Sequence, residues 1–318
     1  MSVLSVENLE KSFRRGGLWG RKSPDIRAVD RVSFELDGGE TLAIVGESGS
    51  GKSTTARLVL RLIEPDAGQI RLLDQDITSM QGKALRSVRR HMQMVFQDPF
   101  APLNPRMKIR ETVGEGLRVH APELNKSQRL EKVADVLAKC GIGEVALNRY
   151  PHQFSGGQRQ RIGIARSLAV SPKLLVLDEP VSALDVSIQA QILNLLRQLQ
   201  SEQNLAYLFI SHDLSVVKQV ADRAAVMFSG KVVEAGRVED VFSRPKHPYT
   251  RALLEARPVN HPKQRDSSAD MPAQDIEAVA IGGCPYRLRC SQAKVDCKDY
   301  VGDLFDGAHK VACIHPLN

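Results

Sequence analysis

Two hydrophobic patterns alternate along the chain. Short unbroken apolar blocks occur at Thr41–Val45, Leu174–Leu177 and Leu205–Ile210. Their length suits β-strands covered on both faces, and falls far below the roughly 18 apolar residues of a membrane-spanning helix. Between them, apolar positions recur at helical spacing. Leu130–Cys140 is one such stretch, and Ser187–Ser201 is another, with Ile188, Ile192, Leu195, Leu196 and Leu199 on one face. Helices are also expected from Lys52 to about Leu62 and from Ser155 to about Val170. Leu4–Leu9 alternates and Ala28–Leu36 resumes, so the first 36 residues read as short strands around a loop. Gln69–Leu73 adds a further strand. Strands alternating with helices predict an α/β domain with a largely parallel central sheet. Beyond Ala256 the texture changes. Arg257–Gln274 is polar, contains prolines and reads as a linker, giving a main domain over 1–256 and a tail over 257–318. There is no internal repeat and no sustained heptad.

Composition narrows the class. The 318 residues are 42% hydrophobic and 25% charged, as expected of a soluble globular chain. The opening Met1–Leu4 lacks a basic segment followed by an apolar one, so no secretory signal is expected and any membrane association should come through partners. The net charge of +7 is spread along the chain without a basic stripe, which argues against nucleic acid.

The strand at Thr41–Val45 runs into Gly46-Glu47-Ser48-Gly49-Ser50-Gly51-Lys52-Ser53, which fits G-x-x-x-x-G-K-[ST] and opens the helix that continues with Thr54. Backbone N–H groups of such a loop wrap phosphates, the helix N-terminus adds favourable dipole, Lys52 adds charge, and the Ser53 hydroxyl suits Mg²⁺. Leu174–Leu177 ends in Asp178 and Glu179. At that place Asp178 is expected to reach Mg²⁺ and Glu179 to polarise an attacking water. Ser155-Gly156-Gly157-Gln158 opens a helix and forms a second anion-binding end, although alone it would be an ordinary glycine-rich helix start.

The order of these motifs resembles the nucleotide-binding subunit of ABC transporters. Phe154–Gln158 resembles the signature motif, Gln97 in Phe96-Gln97-Asp98-Pro99 the Q-loop glutamine, and Ser182-Ala183-Leu184-Asp185 the D-loop. His212 resembles the switch histidine, and Phe13 stands where an aromatic stacks on adenine. The resemblance covers residues 1 to about 256. It implies a P-loop NTPase of the ABC type: a mainly parallel sheet, an antiparallel β subdomain, and a helical signature subdomain over about 98–165. ATP would lie between the phosphate loop of one subunit and Ser155, Gly156, Gly157 and Gln158 of another. Ser53, Gln97 and Asp178 would hold Mg²⁺, while Glu179, His212, Gln97 and Lys52 would carry hydrolysis and Asp185 would work across the interface.

Several stretches are more specifically similar to the ATPase subunits of oligopeptide, dipeptide and nickel importers. They include Leu103-Asn104-Pro105-Arg106-Met107, Tyr150–Gln158, Asp178–Ser187 and His247–Leu254. The insertion Arg14–Arg27, with Trp19, resembles the longer loop of the second ATPase in such systems. Two departures stand out: Phe154 replaces the usual leucine of the signature, and Pro102 stands where serine is usual. This resemblance implies two membrane permease subunits, a second ATPase that is a paralogue, a solute-binding protein, and a peripheral location on the cytoplasmic face of the inner membrane. Soluble ABC machines of DNA repair, translation or iron–sulfur assembly are the alternative. Repair and chromosome-organising types carry long heptads between phosphate loop and signature, absent here, and translation types carry two such domains.

Of five cysteines, Cys140 stands alone, and Cys284, Cys290, Cys297 and Cys313 crowd the tail. Four clustered thiols without a secretory signal favour metal over disulfides. A [4Fe–4S] cluster, zinc, or reduced structural thiols remain open, and the flanking residues resemble the C-terminal extension of peptide-importer ATPases, some of which carry such a cluster.

Overall fold

The computed structural model describes residues 2–14, 25–98, 103–256, 283–300 and 307–317. Most of the Arg14–Arg27 insertion with Trp19, position 102, and the Arg257–Gln274 linker lie outside the described residues.

Two sheets share the chain. The strands β1 (Ser2–Phe13), β2 (Ile26–Asp37), β3 (Thr41–Val45), β4 (Ala67–Leu72), β5 (Gln75–Asp76) and β6 (Met92–Val95) come first. They are followed by β7 (Leu174–Asp178), β8 (Ala206–Ser211), β9 (Arg223–Phe228), β10 (Lys231–Arg237) and β11 (Lys310–Val311). A four-stranded antiparallel sheet has the order β2-β1-β4-β5, and a seven-stranded sheet the order β11-β10-β9-β3-β8-β7-β6. In the latter, β9 through β6 run parallel while β10 and β11 are antiparallel.

The helices are α1 (Lys52–Val59), α2 (Gly82–Arg89), α3 (Ile109–Val113), α4 (Glu115–His120), α5 (Lys126–Lys139) and α6 (Gly156–Leu168). They continue with α7 (Val186–Gln203), α8 (Leu214–Val220), α9 (Val238–Ser243) and α10 (Pro248–Glu255).

Period-two alternation divides the parallel strands between two cores. Leu42, Ile44, Val176, Leu208 and Ile210 pack toward the antiparallel sheet and α1. Ala43, Val45, Leu175, Leu177 and Phe209 pack toward the helices on the other face. Both faces are covered, which is why these strands read as unbroken apolar runs. The first residues form two long paired strands, with several register shifts, rather than short ones.

Helix α1 stops at Val59, short of the expected Leu62. Arg61 takes a left-handed φ of 51°, and Leu62 N–H donates back to the Arg57 carbonyl at 2.8 Å, a turn that closes a helix end. A non-glycine residue is tolerated there because the buried Arg61 guanidinium donates to the carbonyls of Ile77 at 3.0 Å and Met80 at 3.2 Å. Helix α5 begins at a capping box in which Asn125 and Gln128 satisfy each other's backbone N–H groups. The tail returns to the main sheet: β11 pairs with β10, and Cys284, Tyr286 and Cys297 join the helix-side core.

Candidate nucleotide site

Strand β3 delivers the chain to the loop Gly46–Gly51, and α1 carries it away, so the loop's glycines and N–H groups stand at a helix N-terminus. Gly51 has φ 108°, and a Cβ there would lie 2.3 Å from the Ala28 carbonyl oxygen of β2. Glycine is required by both the conformation and the close approach. Gly51→Ala should therefore cost at least about 2 kcal/mol, read as a lowered urea midpoint.

Lys52 is only 6% exposed. Its ammonium donates to the carbonyls of Gly46 at 2.9 Å and Glu47 at 2.8 Å. Burial lowers its pKa, against the opposing pull of Glu179, Asp178 and Glu47. Ser53 Oγ lies 3.3 Å from Asp178 Oδ1, so the first helical turn meets the end of β7. Burial raises the Asp178 pKa, with Ser53 acting in the opposite direction.

Glu179 is the point of convergence. Its backbone is left-handed at φ 47°, a conformation costly for a non-glycine residue, and its N–H is tied to the Ile210 carbonyl of β8 at 2.9 Å. Its two carboxylate oxygens are both engaged. Gln97 Nε2 donates to one at 2.8 Å, and His212 Nδ1 lies 2.7 Å from the other. Three loops, after β6, β7 and β8, thus place their side chains around one carboxylate at the C-terminal ends of parallel strands. Open α/β sheets bind ligands at that edge.

Helix α6 braces this cluster from behind. The buried Gln160 donates to the Pro180 carbonyl at 2.7 Å, and Ser167 donates to the Met94 carbonyl at 2.9 Å. Gly157 lets the helix approach α7, since a Cβ there would lie 2.6 Å from Ile188 Cγ2. Ser155 and Gln158 cap each other and are exposed, and among the described residues neither hydrogen-bonds to the phosphate loop. Asp185 opens α7 without a side-chain capping bond, beside Val186, which is 81% exposed. Phe13 ends β1 at 42% exposure, paired in register with Ile26 one residue from Arg27 and two from the Ala28 that touches Gly51.

Lys52, Ser53, Asp178, Glu179, Gln97 and His212 therefore come together within the chain. Ser155, Gln158 and Asp185 are instead exposed. Sequence reasoning missed two residues that hold Glu47. Tyr249 Oη accepts the Glu47 N–H at 2.9 Å, and Arg289 forks onto its carboxylate. The His247–Leu254 stretch contained the first of these, but nothing local marked its partner.

A glycine loop between strand and helix, facing an acidic pair one strand removed, defines a P-loop nucleoside-triphosphate hydrolase. Residues 29–182 match the ABC transporter family, and residues 233–297 match the oligopeptide/dipeptide transporter C-terminal region. The chain is 48% identical over 319 residues to the oligopeptide transport ATP-binding protein AppF of Bacillus subtilis (strain 168), covering 98% of this chain and 97% of that one. Against OppF of Haemophilus influenzae the identity is 44% over 323 residues, with 99% and 97% covered. A dimeric ATP-binding cassette in a post-hydrolysis state bound to ADP and Pi superposes with TM-score 0.66 at 27% identity, covering 74% of this chain and 98% of that one. The cbiO1 structure from Clostridium perfringens gives TM-score 0.66 at 28% identity, with 76% and 91% covered. The chain belongs to the ATP-binding proteins of ABC transporters, in the oligopeptide/dipeptide transport group.

Proposed function

We propose that this chain is the ATP-hydrolysing subunit of an importer for peptides or related small solutes, and that it supplies half of each of two composite ATP sites. The observation that carries the reading is Glu179, held between Gln97 and His212 beside the Ser53–Asp178 pair. Lys52 and the loop N–H groups bind the phosphates of ATP. Ser53, Asp178 and Gln97 offer hard oxygen donors suited to Mg²⁺, which neutralises phosphate charge when bound. Glu179 orients the attacking water and accepts its proton, while His212 and Gln97 fix the carboxylate and contact the γ-phosphate side. Phe13 offers its exposed ring to the adenine.

The exposed Ser155, Gln158 and Asp185 support a head-to-tail arrangement in which they complete a partner's site. The γ-phosphate then bridges two donor-rich surfaces, and its release parts them. The partner ATPase is a paralogue, and the pair sits on the cytoplasmic face of the inner membrane beneath two permease subunits served by a solute-binding protein. No helix among the described residues is long and apolar enough to cross a membrane. Residues 1–256 form the motor domain, with about 98–165 its helical subdomain, and 257–318 the linker and extension. Purifying the tagged chain with its complex tests this arrangement. Co-isolation of two multi-span membrane proteins and a second ATP-binding chain is expected, whereas isolation with DNA or ribosomes would overturn it.

The four tail cysteines fit a metal cluster. Cys284, Cys290, Cys297 and Cys313 line one cavity together with His247. The His247 ring is 1% exposed, and its Nδ1 accepts the Tyr249 N–H at 3.0 Å. Nε2 therefore carries the proton, yet it has no partner among the described residues. A buried N–H without an acceptor beside four thiols suits a sulfur-rich group. Burial raises the thiol pKa values of Cys284 and Cys313, the latter to about 11, and a bound cation would reverse that.

Tetrahedral zinc with bonds of about 2.3 Å wants sulfurs about 3.8 Å apart. Among the described residues, Asp296, Cys297 and His315 bring three ligand-type atoms within 4.8 Å of one another. Four thiolates lining one cavity are the ligand set of a [4Fe–4S] cluster, which would supply redox chemistry or a structural staple. Anaerobically purified protein is expected to contain four irons and four sulfides per chain. Zinc without iron would overturn the assignment.

A further inference from the structure

We infer that Arg289, carried by the cysteine-bearing extension, is a positioning residue for the phosphate loop, acting through Glu47. The inference rests on Gly46–Ser53 being the phosphate loop. Glu47 is the first variable residue of that loop and is held at three points. Its N–H donates to Tyr249 Oη at 2.9 Å, its carbonyl accepts from Lys52 Nζ at 2.8 Å, and its carboxylate receives the Arg289 fork. The fork is bidentate, with Nη1 to Oε2 and Nη2 to Oε1 both at 2.9 Å.

Exposed ion pairs usually contribute little, because two long side chains must be frozen in one geometry. Here much of that freezing is done beforehand. The Arg289 guanidinium lies 5.7 Å from the Phe228 ring centroid and 5.6 Å from that of Tyr286. Phe228, Tyr249 and Tyr286 in turn pack on one another at 4.6–5.3 Å. Aromatic faces hold the planar fork in place, a task lysine does poorly. The same aromatic cluster includes Tyr249, so the backbone and side chain of Glu47 are fixed by one assembly.

The consequence is electrostatic and geometric. A triphosphate brings several negative charges to a loop that already bears a carboxylate. Arg289 cancels that carboxylate, so the loop N–H groups and Lys52 set the charge that meets the phosphates. Arg289 sits directly before Cys290, within the segment that bears the clustered thiols. The order of that segment is thereby linked to the nucleotide loop across 242 positions of sequence.

The test is a double-mutant cycle on the full chain, with MgATP titrated calorimetrically. Arg289→Ala should weaken MgATP binding roughly three- to tenfold, from an unpaired charge near the phosphates. In the assembled complex its KM should rise by a similar factor with kcat within about twofold. In a Glu47→Gln background, adding Arg289→Ala should change affinity by less than about twofold, because the charge to be cancelled is gone. Arg289→Lys should recover only part of the loss, and it carries the test if the alanine variant does not fold. Affinity of Arg289→Ala within twofold of wild type, or an undiminished penalty in the Glu47→Gln background, would overturn the inference. Failure of the phosphate-loop assignment is separately visible, as unchanged MgATP affinity in Lys52→Ala.

Discussion

Glu179→Gln should lower ATP turnover by roughly 10²–10⁴-fold while leaving MgATP affinity within about threefold. The substitution keeps shape and hydrogen-bonding capacity but removes the basic carboxylate. Gln97 still meets an amide oxygen, and the backbone tie from Glu179 N–H to Ile210 is untouched. Binding determinants in the glycine loop, Lys52 and the Ser53–Asp178 pair stay in place, because they belong to α1 and the end of β7. Phosphate release from the assembled complex measures the first quantity and calorimetry the second. An ATP-bound head-to-tail pair should then persist on a sizing column, since the γ-phosphate bridge is no longer removed. Wild-type turnover in this variant would exclude Glu179 as the group that activates water. Collapse of nucleotide affinity would make its role structural instead.

Lys52→Ala has the opposite signature, weakening MgATP binding by roughly ten- to a hundredfold, the range expected for a lost charge-assisted hydrogen bond. The Lys52 ammonium is buried at the mouth of the loop and held by the Gly46 and Glu47 carbonyls. Removing it also leaves Glu47, Asp178 and Glu179 without the cation that faces all three. Phosphates would then approach a net negative site. Because burial lowers the Lys52 pKa, the wild-type affinity should decline on raising pH earlier than an ordinary lysine would allow. Losing a proton removes the attractive charge, so the sign is weaker binding toward alkaline pH. Calorimetric titration across that range, with the variant as a flat reference, checks both points.

These two residues were legible in the sequence because their chemistry is contiguous. Gly46–Ser53 and Leu174–Glu179 each place functional groups on a short run whose local structure is forced, a glycine turn and a buried strand end. The strands β9 and β10 and the short helices after β8 went unseen, although most of their apolar residues are buried. They carry no motif, and runs of six or seven residues are ambiguous between strand and helix. The early stop of α1 was illegible for another reason. It depends on Arg61 reaching carbonyls at Ile77 and Met80, partners separated from it by a strand pair.

The cysteines show the same division. Their number and crowding pointed to a ligand set as the expectation, but the sequence could not say that they line one cavity with a buried His247 whose Nε2–H has no acceptor among the described residues. Nor could it say that the same segment places Arg289 on the phosphate loop.

The motifs alone carried the kind of chemistry to expect: a glycine loop of phosphate-binding pattern at Gly46–Ser53, an acidic pair at Asp178 and Glu179, and a glycine-rich helix start at Ser155–Gln158. Such features follow from neighbouring residues and their backbone geometry. Long-range packing was needed to bring Gln97 and His212 onto Glu179, to leave Ser155 and Gln158 exposed, and to set Arg289 on Glu47. Each of those depends on how strands far apart in sequence are ordered within one sheet, and that order is set by the packing of two apolar cores rather than by any local signal.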